Sequence, residues 1–240
     1  MNNKKERAKV RKMAKAKEYQ SVQLKKIKKT ALSIEIIGDS PLMLRAMSRY
    51  TERKLLFQYD HAKGYPLPEE FSQHDCSWEQ LITSIHWLNP IEFHDENISL
   101  YSREEWERYM VENKPCILAQ SFLKSFKEVV ITFYKAEKIK GTDLRRALNV
   151  VDYLCPVEFA NCIPRLKIVN TREDGTGDPV LMCTNVFEGW STRLTVECPE
   201  SVFPKESLLN IVCTAGEFIG IGSQRANGYG RYHIGNVETL

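Results

Sequence analysis

Between Thr214 and Ile234 the chain reads TAGEFIGIGSQRANGYGRYHI, and this stretch holds the residues best suited to chemistry. Arg225 and Arg231 each carry a planar guanidinium fork that matches phosphate and stacks on flat rings. Tyr229 and Tyr232 stand beside them. Five of the twelve glycines fall here: Gly216, Gly220, Gly222, Gly228 and Gly230. Glycine admits positive φ and lets a ligand approach the backbone amides closely. A loop of this make-up suits an anionic, extended ligand. The structural alternative is a hairpin loop with solvated arginines.

Other residues point the same way. Arg165, Lys167 and Arg172 lie near the polar Thr171–Asp178 segment, and Trp190 and Arg193 precede a strand. A single strand of nucleic acid is held by cations along its backbone and by flat side chains on which bases stack, at ~1–3 kcal/mol per base. The nucleic-acid-binding set is therefore Arg165, Lys167, Arg172, Trp190, Arg193, Gly220, Gly222, Arg225, Gly228, Tyr229, Gly230 and Arg231. Trp190, following Gly189, has a competing reading as a core anchor. Strand alternation puts Tyr232 and Ile234 on one face and Arg231 and His233 on the other, with the tyrosine inward and Arg231 outward. Arg45 and Arg49, four apart, read as a solvated helix face.

Catalysis is the sharper alternative, and no catalytic residue is assigned. A metal-independent ribonuclease needs a general base near a stabilising cation. His233 is two positions from Arg231, and His94 lies in an acidic loop. The carboxylates Asp60, Asp95, Glu96, Asp174 and Asp178 show no spacing that singles out a metal site. The glycine run lacks the Lys-Ser/Thr that closes a P-loop. Seven scattered cysteines contain no C-x-x-C, so the expectation is reduced thiols in a cytoplasmic protein, with no metal and no cofactor. No apolar run is long enough for a membrane span.

The net charge of +3 conceals an asymmetry. Residues 1–30 hold twelve basic and two acidic residues, a net of +10, while the other 22 basic and 29 acidic residues leave −7. The first thirty residues read as a basic tail, disordered when free and attracted to phosphates in a salt-sensitive way.

The elements that position these residues follow from periodicity. Ala31–Ile37 alternates and is β-branched, a first strand, and Pro41 then opens a helix over Leu42–Leu56. Lys63–Gln73 reads as loop, and Ser77 caps a helix over Trp78–Leu88. Short helices are expected around Arg103–Met110 and Asp143–Val150, with a longer one across Cys116–Tyr134. Tyr153–Val169 gives two strands broken at Pro156 and Pro164, and Asn170–Pro179 a mobile loop. Leu194–Cys198 is a strand, Pro204 opens a helix to about Phe218, and a strand around Tyr229–Ile234 follows the glycine loop. Strands and helices in mixed order argue for an α+β protein.

The segments IEIIGDSPLMLRAM, KPCILAQSFLKSF, TREDG, FEGWSTRLTVE and AGEFIGIGSQRANGYGRYHI together resemble a widespread family of bacteriophage proteins of mostly unassigned function. Those relatives carry G-[IV]-G-[ED]-W-R-P in the last glycine loop; here Arg225 keeps the arginine and Gln224 replaces the tryptophan. More distantly, the terminal loop is similar to that of the RAMP proteins of CRISPR systems, whose ferredoxin-like (RRM-like) domains bind RNA. The resemblance implies a modified ferredoxin-like antiparallel sheet with helices. One such domain would cover residues 31–240, with insertions around 60–113 and 170–179. It also implies a cytoplasmic, non-enzymatic protein that grips single-stranded nucleic acid, DNA or RNA, and oligomerises or joins a nucleoprotein complex. An assembly protein with a basic docking tail and a RAMP-like endoribonuclease are the alternatives.

Overall fold

The computed structural model describes residues 26–49, 51–52, 55, 77–89, 91, 101–135, 140–170 and 179–240. The tail up to residue 25, the 171–178 loop with Arg172, His94 and half of the 60–113 insertion lie outside the described residues.

Strand β1 (Lys29–Gly38) is the spine. Its odd–even alternation buries Leu32, Ile34 and Ile36 completely. Two short strands follow in sequence, β2 (Leu42–Leu44) and β3 (His86–Trp87), the latter after helix α1 (Ser77–Thr83). Helix α2 (Arg103–Glu112) starts where the Ser102 hydroxyl accepts from the Glu105 amide at 3.2 Å, satisfying an orphan donor of the first turn. Then come β4 (Pro115–Leu118), α3 (Gln120–Phe133), α4 (Gly141–Ala147), β5 (Asn149–Val150) and β6 (Leu154–Glu158). A long hairpin of β7 (Asn161–Asn170) and β8 (Pro179–Glu188) leads to β9 (Ser191–Pro199), α5 (Lys205–Thr214) and β10 (Tyr232–Thr239).

The protein is α+β with antiparallel sheets. A seven-stranded sheet runs β10-β1-β9-β6-β4-β3, with β5 also on β9, and a three-stranded sheet runs β2-β8-β7. Within the larger sheet, β1 and β6 are joined through α3 and flank β9, while β9 and β10 are joined through α5 and flank β1. Two interleaved split β-α-β units of this kind make the ferredoxin-like arrangement. Helix α3 buries Phe122, Ser125, Phe126, Val129 and Val130, a stripe at i, i+3, i+4, i+7 and i+8. With Leu208 and Val212 of α5 it joins β1's Leu32, Ile34 and Ile36 and β9's Leu194 and Val196 in one core. Each fully buried apolar side chain there contributes about 1.5–3 kcal/mol.

Several sequence expectations are corrected. Leu42–Leu44 is a strand, not the first turn of a helix. It pairs with Phe187, Val186 and Asn185 of β8 and is buried at every position, so it shows no alternation. Arg45 therefore lies beyond a strand end, not on a helix face shared with Arg49. Pro115–Leu118 is β4 before α3 begins, and α1 ends at Thr83 to make room for β3. Val150 belongs to β5 rather than to α4. Pro164 lies inside β7, an edge strand that tolerates a missing donor. Pro156 lies inside β6 just before that strand meets β9 at Val157 and Glu158. The final strand starts at Tyr232, later than expected. Strand β8 has no counterpart in the sequence reading. Its Cys183, Thr184, Asn185, Val186 and Phe187 are all buried, and Asn185 is held between the Trp106 indole and the Leu81 carbonyl, each at 2.8 Å.

Candidate nucleic-acid interface

The glycine-rich loop leaves α5 through a π-helical turn, Ala215–Ile219, and returns through a single 3-10 turn, Arg225–Asn227. It is laced to its surroundings by main-chain hydrogen bonds. Ile221 N donates to Gly230 O at 3.0 Å, Gly230 N to Pro41 O at 2.9 Å, and Ser223 N to Met43 O at 2.8 Å. The Ser125 hydroxyl of α3 donates to Gly220 O at 2.9 Å. The loop thus wedges between β2, α3 and the turn after β1. Its glycines serve that wedge. At Gly230, with φ +70°, a Cβ would lie 1.9 Å from Ile221 O, and at Gly222 one would lie 2.6 Å from Met43 O. The close approach that glycine permits is made here by the chain's own carbonyls. Gly228 differs: a Cβ there meets nothing within 4 Å, so it is needed only for its φ of +83°. Gln224, at φ +59°, is the one non-glycine residue with positive φ among the described residues, and Asn227 donates to its side-chain oxygen at 2.6 Å.

One of the expected cations from outside the loop reaches it. Arg165, projecting from β7, donates from Nη1 to the Tyr229 hydroxyl at 2.6 Å, and its guanidinium carbon lies 5.9 Å from the ring centroid. Lys167, two residues along the same strand face, is exposed. Arg225 Nη1 sits 3.0 Å from Glu128 Oε2 of α3, an ion pair at the surface. Arg231 is fastened through its backbone: its amide donates to the Ser40 hydroxyl at 2.9 Å, and its carbonyl accepts from Asp39 N at 2.9 Å. Arg231 is half-buried rather than fully outward, and its Nη1 is buried without a hydrogen-bond partner among the described residues. A buried guanidinium nitrogen in that state is costly until an acceptor reaches it.

Two expected residues do not join the cluster. Trp190 is 1% exposed and so offers no face to a base. Its Nε1 donates to Ser40 O at 2.8 Å, and its ring lies so close to Gly38 that a Cβ there would sit 2.2 Å from Nε1. It anchors the turn on which Arg231 rests. Arg193 points from β9 away from the helices, since Thr192 and Leu194 on either side are buried. There it meets Glu238 at 3.3 Å and the Ser33 hydroxyl at 3.4 Å. Tyr232 is core as expected, and burial raises its phenol pKa well above the usual range.

A cleft of about 450 Å³ opens beside Gly222 and Ser223, walled by Arg45, Lys124 and His86. Desolvation holds the His86 pKa below its ordinary value, so at neutral pH the charge there comes from Arg45 and Lys124. Lys124 and Glu128 escaped the sequence reading, because a lysine or glutamate on a surface helix carries no local mark of what it faces. Close by the loop, His233 Nδ1 lies 2.6 Å from Asp39 Oδ1. Among the described residues no cluster of three or more His, Cys, Asp or Glu is placed to hold a metal ion. Cys155 is buried and Cys162 half-buried, and desolvation pushes both thiol pKa values up to about 12. No described helix is long and apolar enough to cross a membrane.

No protein-family model and no curated protein matches the chain. Among solved structures it is similar to a chain of the type III-B Cmr-beta complex bound to cognate target RNA, at 14% identity and a TM-score of 0.44, covering 100% of this chain and 68% of that one. It is also similar to Cmr6 from Pyrococcus furiosus, at 15% identity and a TM-score of 0.34, covering 87% and 98%.

Proposed function

We propose that this protein binds single-stranded nucleic acid without chemistry, gripping the backbone at the glycine-rich loop. The observation that carries the reading is the Arg165–Tyr229 contact, which sets a cation from β7 and a flat ring from the glycine-rich loop side by side at the surface. That pairing supplies both terms strand binding needs, a charge for phosphate and a surface for a base. Arg231 supports it, because a phosphate oxygen would satisfy its buried Nη1. Arg225 supports it as well: its exposed ion pair with Glu128 is worth about 0–1 kcal/mol, so a phosphate can replace the carboxylate at little cost. The basic residues before position 30 add non-specific attraction, and the protein lines its ligand as an oligomer or as a subunit of a nucleoprotein complex.

The test is fluorescence anisotropy of the full chain with labelled single-stranded DNA, single-stranded RNA and duplex. The expected result is single-strand-selective binding that Arg165→Ala weakens with melting temperature unchanged. Binding absent from all three probes would leave the assembly-protein alternative.

A second reading, a metal-independent endoribonuclease, is favoured by one contact. Asp39 bonded to His233 Nδ1 orients the ring and frees the other nitrogen to act as a base. Cleavage of single-stranded RNA in the presence of chelator, lost on His233→Ala with binding kept, would establish it.

A further inference from the structure

Lys124 lines two clefts at once. The first is the one beside Gly222 and Ser223. The second, of about 540 Å³, lies between the first turns of α3 and the segment Leu148–Tyr153. Both volumes fall within the ~300–1,000 Å³ usual for ligand clefts. Cations from two helices wall the second cleft: Lys124 and Lys127 of α3 and Arg145 of α4. None of the three has an ion-pair or hydrogen-bond partner in the described part of the chain. The one carboxylate in the wall, Asp152, is committed to the backbone, accepting from Thr195 N at 3.0 Å. On the rim stands Tyr153, 73% exposed.

Like charges gathered round a cleft repel one another unless an anion joins them. Fully solvated lysines on a convex surface avoid this by spreading apart, whereas here helix packing holds the Lys127 stem: its side chain lies against Gly141 at the start of α4. An exposed tyrosine beside the charges has no core to fill and presents a ring to a flat partner. A small anion has no use for that ring and would fill one cleft only, whereas an extended chain of phosphates and bases uses the ring and passes from one cleft to the other along Lys124.

We propose that the cleft between α3 and Leu148–Tyr153 is a second subsite for the same single strand, with Lys124, Lys127 and Arg145 on phosphates and Tyr153 stacking on a base. The proposal rests on the reading of the glycine-rich loop as a strand-binding site and extends it to the far side of α3. The strand leaves the loop past Gly222 and Ser223, crosses Lys124 and ends its protein contacts at Tyr153.

The experiment uses the full chain and a single-stranded oligonucleotide of about 20 nucleotides, longer than the ~4–16 covered by one small binding domain. Three variants are compared with the parent: Lys127→Gln with Arg145→Gln, Tyr153→Ala, and Arg165→Ala as the loop control. Glutamine keeps most of the side-chain stem, and melting temperatures verify folding. The double variant is expected to weaken binding about tenfold and to lower the slope of log affinity against log salt by about 1.4, the share of two phosphate contacts on a single strand. Tyr153→Ala is expected to weaken binding by a similar factor with the slope unchanged, because the lost interaction is uncharged. If Arg165→Ala weakens binding while the cleft variants keep parental affinity and slope, the second subsite is overturned and the loop reading stands. If the parent binds no oligonucleotide, both fall. If polyglutamate binds with the same dependence on Lys127 and Arg145 and the oligonucleotide does not, the cleft takes acidic polypeptide and the proposal is overturned.

Discussion

Arg165 and Tyr229 stand 64 positions apart in the chain and meet at 2.6 Å, guanidinium to phenol. The arginine belongs to the three-stranded sheet and the tyrosine to the loop that closes the larger one, so the contact ties the two sheets together at the surface. In the proposed strand binding its two members should contribute separably. Arg165→Lys keeps a charge but loses the fork and the stacking surface, and Tyr229→Phe keeps the ring but loses the acceptor. Anisotropy on a single-stranded oligonucleotide should show Tyr229→Phe within about threefold of the parent and Tyr229→Ala weaker by ~1–3 kcal/mol. Equal losses in both tyrosine variants would assign the work to the hydroxyl rather than to a stacked base.

Glu128 opposes the proposed ligand. It holds Arg225 at 3.0 Å, where a phosphate oxygen would sit. Glu128→Gln removes that competitor and a nearby negative charge, so affinity should rise about two- to fivefold at low salt, with the gain shrinking as salt screens it. Arg225→Ala should lower affinity and flatten the salt dependence by about 0.7, one phosphate contact. Titrations at two salt concentrations check both, and a weaker Glu128→Gln variant would place the binding surface elsewhere.

The interior elements were the hard ones to read. Strand β1 and helix α5 follow directly from alternation and from Pro204, because each has one buried and one open face. Strands β2 and β8 are buried on both faces and so lack alternation; Leu42-Met43-Leu44 after Pro41 reads equally well as a helix start. Arg225, Tyr229 and Arg165 are legible as candidate types, but the partner of each is set by long-range pairing, such as Arg165 opposite Thr184, that no local pattern encodes. Trp190 shows the limit most plainly. An aromatic after a glycine suits a binding platform or a core anchor, and only the packing of Gly38 against its ring decides for the core.

Trp190→Ala should therefore act on stability first. Removing a 1%-exposed indole opens a cavity beneath the turn that carries Ser40 and Arg231, and large-to-small changes of this kind cost about 3–5 kcal/mol. Urea unfolding should show the loss. Where the folded variant still predominates, Trp190→Phe, which fills most of the space, should retain strand binding within a few-fold. A Phe variant that folds normally but binds nothing would return Trp190 to the interface.

His86 gives the protein a pH-dependent stability. Its pKa is lowered in the folded state by burial, so below the ordinary histidine value of about 6.5 the unfolded chain binds more protons than the folded one. Stability is then highest above that value and falls as the pH drops through it, until His86 protonates in the fold as well. His86→Gln should flatten the decline in melting temperature between about pH 7 and pH 5. A decline as steep in the variant as in the parent would assign it to other groups.

The two glycines at the end of the loop separate strain from collision. Gly228 and Gly230 both have positive φ, +83° and +70°, so an alanine at either bears the conformational cost of the left-handed region, about 1–2 kcal/mol. Gly228→Ala adds nothing more, because its Cβ enters open space. Gly230→Ala also drives a Cβ to 1.9 Å from Ile221 O, breaking the hydrogen bond by which Ile221 N closes the loop. Chemical denaturation should place Gly228→Ala within about 2 kcal/mol of the parent and Gly230→Ala well beyond it. Since Gly230 also fixes where Tyr229 and Arg231 emerge, Gly230→Ala should lose strand binding even at temperatures where it stays folded, whereas Gly228→Ala should keep it. Equal stability in the two variants would mean that the loop yields at Ile221 and does not rely on that close approach.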